Sequence, residues 1–168
     1  MNRLEIEDIN VHSPYEVSLS DGEENYFEFI TDHGVHYSVG FMPDDMELMH
    51  SEAYHLIIVN VNSRPSPSDR KVRDTVLAIV EEFFDRNNTT LLYICETGDG
   101  RQRQRSRLFE RWFAAYERKV LYTSVTSSVV DDAGIINYAT IIVRNDNPCL
   151  VEVITDFTNT VSLLNNKP

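Results

Sequence analysis

Cysteine is nearly absent: Cys95 and Cys149 are the two the sequence holds, and they form no CxxC pair. So few thiols exclude a scaffold held together by disulfides and fit a reduced, cytosolic chain with buried thiols. Cys95 lies in the apolar run LLYIC, surroundings that oppose the lowered thiol pKa a nucleophile needs. Long apolar runs are missing too. None approaches 18 residues, so no segment reads as a membrane span. The opening MNRLEIEDINVHSPYE is acidic and lacks the apolar stretch of a secretory signal. GxSxG, GxGxxG and P-loop patterns are absent, as are internal repeats and low-complexity tracts.

Positive charge is the next shortage, and it is local. Residues 1–52 carry 13 Asp and Glu but a single base, Arg3, whereas residues 53–168 carry 14 acids and 14 bases. The formal net charge of −12 therefore belongs to the first third. A field of that sign repels phosphodiester backbones and argues against general DNA or RNA binding. A run of charge is most simply a solvated face. The alternative is an acidic segment that covers, or competes for, a basic stretch elsewhere in the chain.

What remains is ample material for a core. The chain has 168 residues, 42% of them hydrophobic, with eight Phe, eight Tyr and one Trp. It reads as one globular domain over residues 1–168, with residues 1–24 as a loosely packed acidic segment. NYFEFIT (25–31) and VHYSVGFM (35–42) alternate with period 2 around DHG, the pattern of a hairpin. YHLIIVNVN (54–62) is almost continuously apolar and predicts a central strand buried on both faces. Ser68 or Asp69 caps a helix through Asn87, with Val72, Val76, Ile79, Val80 and Phe83 on one stripe. TTLLYICE predicts a buried strand, and a helix from about 100 to 118 follows, burying Leu108, Phe109, Trp112 and Tyr116. Two strands joined by DDAG and a last helix after Asn147-Pro148 complete the order β-β-β-α-β-α-β-β-α. Two helical crossovers make three of these strands mutually parallel, with antiparallel hairpins at the flanks. The class is α+β, a mixed sheet in three α/β layers.

Such a topology places two helix N-termini at the carboxyl ends of parallel strands, where open sheets bind ligands and free N–H groups favour anions. The first segment brings Arg64, Arg70, Lys71 and Arg73; the second, GDGRQRQRSR, brings Arg101, Arg103, Arg105 and Arg107. Cations in the first turn of a helix oppose its dipole and call for a partner anion. Helical spacing puts Arg101 and Arg105 with Leu108 and Trp112, and leaves Arg103 and Arg107 on another face. The candidate anion-binding set is thus Arg101, Arg105, Arg70 and Arg73, with Asp99 and Gly100 of the turn between strand and helix. Guanidinium forks suit phosphate or carboxylate. Glu96, Asp99, Asp74 or the acidic first third could instead neutralise these arginines within the chain. Histidines 33, 36, 50 and 55 read as scattered surface residues, and no metal site is expected. Phe109, Trp112, Phe113 and Tyr116 are at helical spacing and read as core or partner surface before a base-stacking platform.

The run YICETGDGRQRQRSRLFERWF and the hairpin YFEFITDHGVHYSVGF resemble a small bacterial family of uncharacterised proteins, a likeness over most of the chain that implies no activity. The element order also resembles the acetyl-coenzyme-A-dependent N-acetyltransferase superfamily. That likeness implies a pyrophosphate loop at VNVNSRPSPSDRKVRDT (59–75), a stretch here without glycine. It implies a general acid tyrosine where the chain has Phe109, which has no proton to give. The function expected is that of a cytosolic binding or interaction protein with an arginine-rich anion-binding rim and no cofactor. Its partner is a small phosphorylated or carboxylate ligand or an acidic protein segment. Residues 1–52 of a second copy would serve and would give a homodimer. The alternative is a divergent acyltransferase using coenzyme A.

Overall fold

The structure, a computed structural model, describes residues 1–44, 51–95, 102–131 and 133–166, without the side chains of Glu23 and residues 102–105. The elements are α1 (Ile6–His12), β1 (Ser18–Ser20), β2 (Glu23–Ile30), β3 (His36–Pro43), β4 (Ala53–Asn60), α2 (Arg70–Arg86), β5 (Thr90–Cys95), α3 (Gln102–Ala114), a 3-10 turn (Lys119–Leu121), β6 (Tyr122–Val130), β7 (Ile136–Arg144) and α4 (Leu150–Asn165). The succession from β2 onward is the one the sequence predicts; α1 and β1 precede it. Seven strands form a mixed sheet in the order β1-β2-β3-β4-β5-β7-β6, so the class is α+β. By contact the chain divides into two compact units, Met1–Met42 with Leu56–Asn88 and Pro43–His55 with Thr89–Pro168.

In the first unit the hairpin β2–β3 turns through Gly34, whose φ of +70° favours a residue without Cβ. Its register pairs Phe27 with Val39 and Phe29 with Tyr37. Period 2 then sends Phe27, Val39 and Phe41 into the core, where all are at most 1% exposed. Helix α2 lays its predicted stripe against them: Phe41 stacks on Phe83 with centroids 4.6 Å apart, and Phe83 meets Phe84 edge-on at 5.3 Å. Fully burying rings of this size is among the largest apolar gains a small core offers. The acidic opening segment contributes Leu4, Ile9, Tyr15 and Val17 to the same core. It is tied to α2 by Glu82, which accepts from the Glu5 backbone N–H at 3.1 Å and from Arg86 Nε at 2.8 Å, while Arg86 also reaches Asp8 at 2.7 Å.

In the second unit β5 pairs β7 antiparallel and β7 pairs β6 antiparallel. Leu92, Ala139, Ile141 and Val143 point to one face and receive Val153, Phe157 and Val161 of α4. Tyr93 points to the other and stacks on Phe109 of α3 at 4.2 Å. Three layers result, α3, sheet and α4.

The parallel ladder is short, pairing Ala53–His55 of β4 with Thr90–Leu92 of β5. Strand β6 runs in the same direction as β5, as the crossover rule requires, but is not its neighbour: β7 lies between them. The reason is in the residues. The apolar β7 is buried over Ala139–Val143, while β6, rich in Ser and Thr, is only partly buried and takes the edge. Strand β4 also departs from expectation. Ala53, Tyr54 and Leu56 are buried, but Val59 is 46% exposed, so the strand is not covered on both faces along its length. In α3 Phe109 is buried as predicted, whereas Leu108 is 39% exposed; Ser106 occupies the buried face beside Phe109.

Candidate functional site

The first basic segment is built on the start of α2. Asp69 is the N-cap, in extended conformation, its Oδ1 accepting from the Lys71 backbone N–H at 2.8 Å. The loop before it, residues 61–69, is held without glycine by amide side chains. Asn60 Nδ2 donates to the Arg64 carbonyl at 2.8 Å, Asn62 Nδ2 donates to the Gly34 carbonyl at 2.9 Å, and Ser63 takes a left-handed φ of +52°. Tyr37 and Ser66 share a hydroxyl–hydroxyl bond of 2.5 Å. Arg64 therefore leaves a backbone fixed from several sides, and a Cβ added to Gly34 would meet its guanidinium.

Four side chains from distant parts of the sequence close around that helix start. Tyr15 Oη donates to Asp69 Oδ2 at 2.6 Å and accepts from the Asp32 backbone N–H at 3.2 Å. Lys71 Nζ donates to Asp32 Oδ2 at 2.7 Å and lies 5.3 Å from the centre of the Tyr15 ring. The Tyr15 ring stacks on Phe29, which stacks on Tyr37. Burial, and then the bond to Asp69, push the Tyr15 hydroxyl above its ordinary pKa. The Lys71 ammonium holds the Asp32 carboxyl below its ordinary value, and Asp32 in turn raises Lys71.

The sequence-predicted bases thus have different fates. Lys71 is paired with Asp32, and Arg73 Nε donates to Asp74 at 2.7 Å, the internal neutralisation that the sequence left open. Arg64 and Arg70 are exposed and meet no carboxylate among the described residues. In the second segment Asp99, Gly100 and Arg101, with Glu96, lie outside the described residues. Arg105 belongs to α3 through its backbone, four residues before the buried Phe109, and its side chain is outside the described set, as is that of Arg103. Arg107 is exposed. The two basic segments belong to different compact units.

Tyr15 and Asp32 were not legible in the sequence as members of this cluster. They stand 54 and 39 residues from Asp69 and Lys71, and no periodicity connects such positions. Asp69 was legible as a cap because its signal is local.

Elsewhere, His36 Nε2 lies 2.9 Å from Glu28 Oε2, a pair within the hairpin. No group of three or more His, Cys, Asp or Glu that could hold a metal gathers among the described residues. Cys95 is buried and Cys149 half-buried, and neither is in a disulfide. Among the described residues no helix is long and apolar enough to cross a membrane.

The model of a family of unknown function (DUF6169) matches residues 68–159, from the cap of α2 into α4. No curated protein and no solved structure matches the chain.

Proposed function

The chain belongs to DUF6169, and we propose that this member is a cytoplasmic binding or interaction protein that holds an anionic group on an arginine-rich segment. The group is a phosphate or carboxylate, carried by a small molecule or by an acidic protein segment. One observation carries the reading: Arg64 and Arg70 stay exposed and unmatched among the described residues, although the chain has 27 acids for 15 bases. In a sequence with carboxylates in such excess, cations left open beside a rigid loop are available to a partner. Arg101 and Arg105 are the candidates of the second segment, on the sequence argument alone. The paired Lys71 and Arg73 drop out as primary contacts, since the Asp32 and Asp74 carboxylates beside them offset their charge toward an incoming anion.

The coenzyme-A-dependent acyltransferase is the second reading, and it rests on the element order along the chain. The Asp69 carboxylate counts against it. It already occupies the Lys71 N–H that a pyrophosphate at this helix start would seek, and it adds negative charge there. Phe109, buried at 5% exposure, offers no acid group either.

Thermal melting at matched ionic strength separates the readings. Pyrophosphate or a polyglutamate peptide should stabilise the wild type saturably, because a ligand that binds only the folded state adds to its stability by mass action. Arg64→Ala/Arg70→Ala should lose that gain, while Arg103→Ala/Arg107→Ala keeps it; loss in Arg101→Ala/Arg105→Ala instead would assign the anion to the second segment. Stabilisation confined to acetyl-coenzyme A would transfer the case to the acyltransferase. Equal loss in all three variants would reduce the site to bulk charge.

A further inference from the structure

The face of the second unit's sheet that carries α4 follows a simple rule along β7: Val143, Ile141 and Ala139 are buried beneath the helix. Period 2 places Asn137 next on the same face. Here the apolar stripe ends in an amide, and here a pocket of about 160 Å³ opens, walled by Ile94, Val129, Asn137, Phe157, Val161 and Leu164. A space of this size holds a molecule of one or two small rings; an engineered apolar cavity of about 150 Å³ takes up benzene.

The amide is oriented by its surroundings. Asp131 Oδ1 accepts from the backbone N–H groups of Ala133 and Ile135, both at 2.9 Å, which fixes the carboxylate in the β6–β7 turn. Its other oxygen lies 3.4 Å from Asn137 Nδ2. An ionised carboxylate only accepts, so the amino end of Asn137 must face it. The carbonyl end is left on the other side: Asn137 Oδ1 is buried and has no hydrogen-bond partner among the described residues. A buried acceptor without a donor is costly to keep. A position serving packing alone would carry one more aliphatic residue. The helix above is fixed as well. Asn165, at the end of α4, accepts from the Val130 N–H at 2.8 Å and donates to the Ser128 carbonyl at 2.9 Å, clamping the helix to β6 beside the pocket.

We propose that this pocket is a binding site for a small apolar molecule carrying one hydrogen-bond donor, which meets Asn137 Oδ1 while its hydrocarbon body lies between Phe157, Val161 and Val129. The site is independent of the arginine segments and takes a different ligand chemistry.

Indole and benzofuran test it, being nearly equal in size and differing in the N–H. Titrated into the full-length protein and followed by methyl NMR, indole should bind saturably, with shifts centred on Ile94, Val129, Val161 and Leu164. Benzofuran should bind about 3- to 10-fold more weakly, the worth of one neutral hydrogen bond. Asn137→Leu should bind both equally, and Leu164→Trp, a filling change at a half-exposed position, should bind neither while keeping a wild-type spectrum elsewhere. Equal binding of the two probes by the wild type would overturn the role of Asn137. Absence of saturable binding, or shifts scattered away from α4, would overturn the site.

Discussion

Asp69 accepts from the Lys71 backbone and from the Tyr15 hydroxyl, so its removal acts on two elements at once. Loss of an N-cap costs about 1 kcal/mol; Asp69→Ala should show at least that in urea unfolding, and Asp69→Asn, which can still cap, should recover most of it. No difference between the two would mean that the carboxylate's charge, and not its geometry, holds the helix start. The same variants bear on the anion site. Removing this carboxylate lowers the negative potential around α2, so an anion held by Arg70 should bind more tightly to Asp69→Asn than to the wild type. At this scale the sequence was informative where signals were local. The cap, the Gly34 turn and the α2 stripe could be read directly, whereas the Tyr15–Asp69 and Lys71–Asp32 contacts depend on chain reversals that leave no local trace.

Among the elements, β6 is the one whose exposure has consequences. Nine residues long and without a charged side chain, it pairs β7 on one side. The Asp131 N–H bonds the Ile135 carbonyl in the register of that ladder, so the backbone groups of even-numbered residues point away from β7. Two of them, the Ser128 carbonyl and the Val130 N–H, are taken by the Asn165 side-chain amide, which satisfies the edge as a neighbouring strand would. Asn165→Ala should therefore raise concentration-dependent association, measured by light scattering, with little loss of helix by circular dichroism; unchanged scattering would show that the remaining edge is already protected. Element existence was legible for nine of the elements because each carries its own period. The neighbour relation of β5, β7 and β6 was not: crossover handedness sets direction, but which strand takes the interior is decided by the contrast between ATIIV and TSVTSS.

For the whole molecule, the paired charges set how stability follows pH. Glu28 is held below its ordinary pKa chiefly by the Ser20 hydroxyl and then by His36, Asp32 by Lys71, and Asp146 by Arg144. A carboxylate depressed on folding contributes stability that is present above its unfolded value of about 4 and lost as pH falls through the lower folded value. Tyr15 and Lys71 are raised on folding. Their contribution is complete below their unfolded values of about 10 and is lost as pH rises through the folded ones. Urea midpoints should accordingly be flat between these limits and fall on both sides. Asp32→Asn should shallow the acid limb and Tyr15→Phe the alkaline one; unaltered limbs would assign the pH response to other groups. The division of the chain bears on inheritance as well as on stability. Each compact unit is assembled from two separated stretches, with β4 contributing its first three residues to one and the rest to the other. The stretch matched by the family, residues 68–159, starts in one unit and stops inside the last helix of the other. No single cut in the gene releases either unit intact, so one crossover within the chain would part the stretches from which a unit is built.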